Sequence, residues 1–173
     1  MTKPRLLPTA LLALFTAALA AQPADPRRQA EVAGRGSDVM PFSLAATTHV
    51  FTRTAQGGIQ RVIAKNAADA TQVRLVREHL QDIRTRFLNG DFSAPTQIHG
   101  DAMPGLASLK AAKPGQFEID YGDVAGGAEL RYRTEDVALV AALHRWFDAQ
   151  LSDHGSDAAA GGTQHHHGAA QRR

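Results

Sequence analysis

The chain of 173 residues contains no cysteine. That one absence excludes disulfide staples, thiolate metal sites, iron–sulfur clusters, covalently attached haem and cysteine nucleophiles together. An excess of charge is nearly absent as well: the formal net charge is +2, and Lys3 and Arg5 are the only charges in the first twenty residues. Without them the balance is neutral, so neither nucleic acid nor an anionic membrane is an implied partner. Aromatic residues make up only 6% of the chain, with a single tryptophan, Trp146. No apolar run reaches the ~20 residues of a spanning helix; the longest, Leu6 to Leu19, is interrupted by Pro8. With 43% apolar and 21% charged residues the composition is globular, and the length suits one domain.

What is present at the start is a leader pattern. Lys3 and Arg5 precede the Leu6–Leu19 run, and Ala18-Leu19-Ala20 supplies the small residues that signal peptidase requires. Residues 1–20 are therefore expected to be a cleaved signal peptide, with the mature protein in the periplasm or secreted and no membrane contact after cleavage. Residues 21–37 hold Pro23, Pro26, Gly34 and Gly36 with little to bury, and read as a disordered linker. Residues 38–152 are expected to form a single domain. Residues 153–173, rich in Gly, Ala and His and containing His165-His166-His167, read as a disordered tail.

Within the domain, β-branched and aromatic runs at 47–54 and 59–64 flank Gln56-Gly57-Gly58, the pattern of a hairpin. A helix follows at about 68–88, with Val73, Val76, Leu80, Ile83 and Phe87 on one stripe. Residues 92–101 read as a loop, and a short helix is expected after Pro104, ending near Lys110. A second hairpin spans 116–133 around Ala125-Gly126-Gly127. Its proposed register sets Tyr121 opposite Tyr132 and Asp120 opposite Arg133, which puts apolar residues on one face and charges on the other. A last helix runs from 134 to about 151, with Val137, Val140, His144, Phe147 and Leu151 as its stripe, widened by Leu139, Leu143 and Trp146. The two halves repeat a hairpin–helix unit. The expected fold is α+β: a four-stranded antiparallel sheet with helices packed on one face.

Several phrases give a family resemblance: Asp38-Val39-Met40-Pro41-Phe42, Thr47-Thr48-His49, Ile98-His99-Gly100, Met103-Pro104-Gly105-Leu106, and the stretch from Ala142 to His154. Over residues 38–154 the chain resembles a group of small exported proteobacterial proteins that often carry the name aspartate carbamoyltransferase. The resemblance implies export. It does not bring the chemistry of that name, because Phe51-Thr52-Arg53-Thr54-Ala55 lies in a strand, which offers no cluster of free backbone N–H groups to a phosphate.

Imidazole and thioether are the soft or borderline metal ligands left to a thiol-free exported protein, and that set suits copper, with zinc or nickel also possible for imidazole. His144 holds an apolar-stripe position and is expected to face inward. His49 shares a strand face with Phe51, and His99 leads a loop that also holds Asp101 and Met103. His49, His99 and His144, with or without Met103, are the candidate structured site, and Met40 could approach it. His79 reads as a solvated edge residue. His154 belongs to a fraying helix end or the tail, and joins His165, His166 and His167 as further candidate ligands. No organic cofactor is implied.

No Gly-x-Ser-x-Gly elbow, His-Glu-x-x-His helix or phosphate loop occurs. The expected function is a small exported binding protein, for copper or another transition metal. A protein-interaction module with structural histidines is the alternative. An enzyme using His99, Asp101 and His144 ranks last.

Overall fold

A computed structural model describes residues 24–162. The chain begins with α1 (Pro26–Val39), then β1 (Thr47–Thr54), β2 (Gly57–Ala64), α2 (Ala70–Leu88), α3 (Ser93–His99) and α4 (Leu106–Lys110). It continues with β3 (Glu118–Val124), β4 (Gly127–Arg133), α5 (Val137–His154) and β5 (Ala158–Ala160). The fold is α+β, and its sheet has five strands in the order β3-β4-β2-β1-β5. Four strands pair antiparallel, but β5 adds to β1 in parallel, so the sheet is mixed rather than four-stranded and antiparallel. Among the described residues, no helix is long and apolar enough to cross a membrane.

The two hairpins join through their second strands: Gly57 pairs with Arg133 and Ile63 with Gly127. Helix α2 packs mainly on β4 and β3, and α5 on β2, β5 and β1. Each long helix thus covers the other unit's strands. Phe51, Val62, Leu130 and Tyr132 face this layer and are buried with Val76, Leu80, Ile83 and Phe87 of α2. The helix starts are capped by Asp69, accepting from the Gln72 N–H, and by Asp136, accepting from those of Ala138 and Leu139.

Both hairpins turn earlier than their Gly-Gly pairs suggest, the first at Ala55-Gln56, two residues before Gly57-Gly58, and the second by one residue. In the second, Val124 pairs with Gly127, leaving Ala125-Gly126 as a two-residue turn with Gly126 at φ 76°. Tyr121 therefore faces Leu130, and Ile119 faces Tyr132. The correction is a slip of two residues, which keeps every side chain on its expected face. Asp120 pairs with Arg131 along the ladder and still reaches Arg133 diagonally, at 2.8 Å. Gly57 and Gly127 are strand residues, where an added Cβ would collide with the neighbouring backbone at Tyr132 and Val62 respectively.

Three segments differ from the sequence reading. The expected linker is a helix from residue 26, started by Asp25 as cap and Pro26 in the first turn. Only Val32 and Gly36 of α1 are buried, too few for a periodic signal. The expected loop at 92–101 contains α3, which buries Ala94, Pro95, Ile98 and His99. The expected tail contributes the end of α5, a 3-10 turn at Gly155–Asp157, and β5.

The stripe of α5 is also rotated. Val137 is 81% exposed, whereas Leu139, Leu143, Trp146, Phe147, Gln150 and His154 are buried. A helix with apolar residues on two flanks offers two stripes, and the sheet took the wider one.

Candidate functional site

The rotation of α5 decides which histidines meet. His49 points inward from β1 by strand alternation with Phe51 and is 4% exposed. On α5, His154 lies one turn beyond Gln150 and two beyond Trp146, so it continues the buried stripe into the last turn. The return of the chain through β5 covers it; Ala158 pairs with His49 itself. The His49 and His154 rings stack at 4.9 Å between centroids, 6° from parallel. His99, the last residue of α3, meets His154 edge-on at 5.1 Å and 78°. His79 comes from α2 to the far side of Phe42, which contacts both the His79 and His49 rings.

Each ring is held differently. Asp153 Oδ2 lies 2.7 Å from His99 Nδ1, and Arg28 of α1 binds the same carboxylate and donates to the His99 carbonyl at 2.6 Å. Burial by itself would raise the Asp153 carboxyl, but the hydrogen bonds from His99 and Arg28 outweigh it and pull the group down to about 2. An ionised carboxylate only accepts, so His99 donates through Nδ1 and its Nε2 carries the lone pair when neutral. His154 Nε2 sits 3.1 Å from Gln150 Oε1, which likewise leaves Nδ1 as the lone-pair nitrogen.

Burial pushes His154 down to about 4, with the neighbouring His99 adding to it. Burial also takes His79 to about 4. His49 falls well below the ordinary histidine value, first through burial and then through the other histidines; only the Asp157 carbonyl opposes this. These three imidazoles are neutral at pH 7. His49 Nδ1 is buried without a hydrogen-bond partner.

The rings line a cavity between the sheet and helices α2, α3 and α5, with about 40 Å³ of space for water-sized molecules. His49, His79, His99, His154, Met40 and Trp146 are among its walls. Trp146 is 1% exposed, and its Nε1–H is also buried without a partner. On the outer side of His99 runs an open groove lined by Arg28, Met103, Pro104, Arg145 and Asp153. His99 belongs to both spaces and separates them.

Of the expected trio, the structure brings His49 and His99 together and leaves His144 out. His144 Nε2 instead lies 2.8 Å from the Gly57 carbonyl and 3.1 Å from that of Thr54, tying α5 to the first hairpin turn. Met103 is buried in the core and borders the groove beside His99. Met40 reaches the cavity as expected. Asp101 is exposed and pairs with Lys110 at 3.5 Å, so the His99–Asp101–His144 arrangement does not form. His79 is a cavity wall rather than a solvated edge, and His154 is buried rather than frayed. His165, His166 and His167 lie outside the described residues.

Sequence reasoning missed Asp153, Arg28, Gln150 and Trp146. Asp153 and His154 had one signal, their spacing from Leu139, Leu143 and Trp146 on the alternative stripe. Arg28 had none.

Among the described residues, no group of three or more His, Asp or Glu side chains stands ready to hold a metal ion. The cause is visible in the stacking. A metal lies in the plane of each imidazole that binds it, and the parallel His49 and His154 rings share no such point. The near-perpendicular His99 and His154 rings carry no such conflict. No family model, curated protein or solved structure matches the chain.

Proposed function

We propose that this is an exported protein that binds one transition-metal ion through His49, His99 and His154. Copper is the first choice, because the thioethers Met40 and Met103 flank the imidazoles and no thiolate competes. The observation that carries the reading is the buried, unpartnered Nδ1 of His49 in a cavity walled by neutral imidazoles. An orphaned acceptor at such a depth costs about 1–3 kcal/mol unless something fills it. The His99–Asp153 bond supports it too, since a carboxylate on the far nitrogen commonly orients a metal-binding histidine. Loading turns the His49 or His154 ring out of the stack. The leader pattern of residues 1–20 supports export.

The test uses the full mature chain with H165A, H166A and H167A, which removes the terminal histidines from the count. Titration with Cu(I), Cu(II) and Zn(II) is expected to give one ion per chain at micromolar metal. Trp146 fluorescence changes with it, as the only indole borders the cavity. No uptake of any of the three ions overturns the reading.

One observation favours a second reading, in which the histidines are structural. Asp153 joins His99 to Arg28 and so fastens α1 to α5. On that reading H99A lowers the melting temperature and no histidine variant changes metal uptake.

A further inference from the structure

Every sheet residue of the hydrophobic core, Phe51, Val62, Ile119, Leu130 and Tyr132 among them, points toward the helices. Strand alternation sends the residues between them to the opposite face, which contributes nothing to that core. That second face has two halves. On β1 and β2, Thr48, Val50, Thr52, Ile59 and Ile63 form a β-branched patch, each residue half-buried. On β2, β4 and β3 the signs alternate, with Arg61, Arg131 and Arg133 against Glu118, Asp120 and Glu129. Arg61 holds Glu129 at 2.6 Å from one side and Arg131 holds it from the other, so this carboxylate is only 3% exposed. Such a face is neutral, and a partner charged with one sign gains nothing from it. A surface that carries both signs in alternation complements itself, which is what an isologous contact requires.

The register gives that complementarity a geometry. One rung of the ladder runs Asp120-Arg131-Ile59-Thr52, and the next runs Gly122-Glu129-Arg61-Val50. A two-fold axis across the strands, between these rungs, lays each strand over its own copy in reverse. Arg131 then meets Glu129 of the second copy, Thr52 meets Val50, and Ile59 meets the apolar stem of Arg61. Asp120 falls on Gly122, and one rung further out Ile63 falls on Gly57 and Arg133 on Gly127. Long side chains meet glycines, opposite charges meet, and the β-branched half covers itself. Four strand spacings of ~4.8 Å and about seven residues of ~3.3 Å make a face of roughly 450 Å². Two such faces bury on the order of 1,000 Å², the low end for a specific interface and enough for a weak dimer.

We infer that the protein forms a two-fold dimer by stacking the helix-free face of its sheet on that of a second copy. The interface lies on the side of the sheet away from the histidine cavity, so dimerisation and metal binding are separable.

The experiment sediments the full mature chain from about 1 to 300 μM, a range that brackets the micromolar affinity of so small an interface. A monomer–dimer equilibrium is expected. I59K sets an ammonium against Arg61 of the second copy, and R131E sets a carboxylate against its Glu129. Each is expected to weaken the dimer at least about tenfold, the effect of bringing like charges together. V137K alters an exposed residue of α5 off this face and is expected to leave the dimer unchanged. Thermal melts followed by circular dichroism check that the variants fold. Should I59K not fold, R131E decides, because Arg131 is exposed. A monomer at every concentration overturns the dimer, whether solvent or residues 163–173 cover the face. A dimer that survives both I59K and R131E, or that V137K weakens equally, overturns its assignment to this face.

Discussion

His99 donates to Asp153 across 2.7 Å, from the last residue of α3 to the last turn of α5. Asp153 also receives Arg28 of α1, at 2.8 Å, so one carboxylate fastens three helices. D153N keeps the shape and removes the charge. It is expected to lower stability by about 1–3 kcal/mol, the range for weakening a charged hydrogen-bond pair. Hydrogen exchange should rise in α1 first, because only Val32 and Gly36 of that helix are buried. Exchange that rises equally in every element would show that the carboxylate is not a local fastening.

The histidine cluster sets a pH window for the metal-free protein. His79 and His154 are held at about 4 in the folded state against an ordinary 6.5. The unfolded chain therefore binds more protons than the folded one between these values, and stability falls as the pH drops from 6.5 to 4. His49 acts in the same direction. For a single group a shift of this size corresponds to roughly 3 kcal/mol before relaxation. Asp153 adds a second window, because its carboxyl falls from 3.8 to about 2 and its contribution is lost only as the pH falls between them. Urea midpoints should fall between pH 6.5 and 4, and H79L should flatten that slope. A flat profile would refute the buried neutral state.

What sequence made legible was the part fixed by local repetition. The hairpins around residues 55–56 and 125–126 and the helices α2 and α5 follow from strand alternation and helical stripes. Helices α1 and α3 and the alanine strand β5 carry few large apolar residues, and their placement depends on contacts with one another, with α5 and with β1 that no local pattern encodes. The candidate site was half legible. His49 follows from alternation with Phe51, but His154 depended on which flank of α5 the sheet would cover. His144 was misplaced for the same reason.

Gly105 tests the packing of α4 on α5. It sits at φ 82°, and an added Cβ would strike the Ala142 carbonyl oxygen. G105A meets both backbone strain and a backbone collision, so a loss of more than about 2 kcal/mol is expected. Gly90 is the control, with φ 75° and open space around it. G90A should cost only about 1–2 kcal/mol, the strain of the left-handed conformation alone. Equal losses in thermal melts would show that the close approach to Ala142 is unimportant.

His144 and His154 separate structure from ligand capture. His144 donates to the carbonyls of Gly57 and Thr54, so H144A removes a tie between α5 and the hairpin turn. About 1 kcal/mol of stability should go with it, the ordinary value of such a bond. Metal uptake should be untouched, because that ring lies outside the cavity walls. H154A should do the opposite. Losing a buried neutral ring bonded only to Gln150 leaves the metal-free fold intact enough to melt cooperatively. Copper affinity in the chain lacking the three terminal histidines should fall at least about tenfold, because losing even an outer-shell partner of a ligand costs roughly 10–100-fold. If H144A weakened uptake as much as H154A, the ion would have to sit near the hairpin turn, away from the histidine cavity.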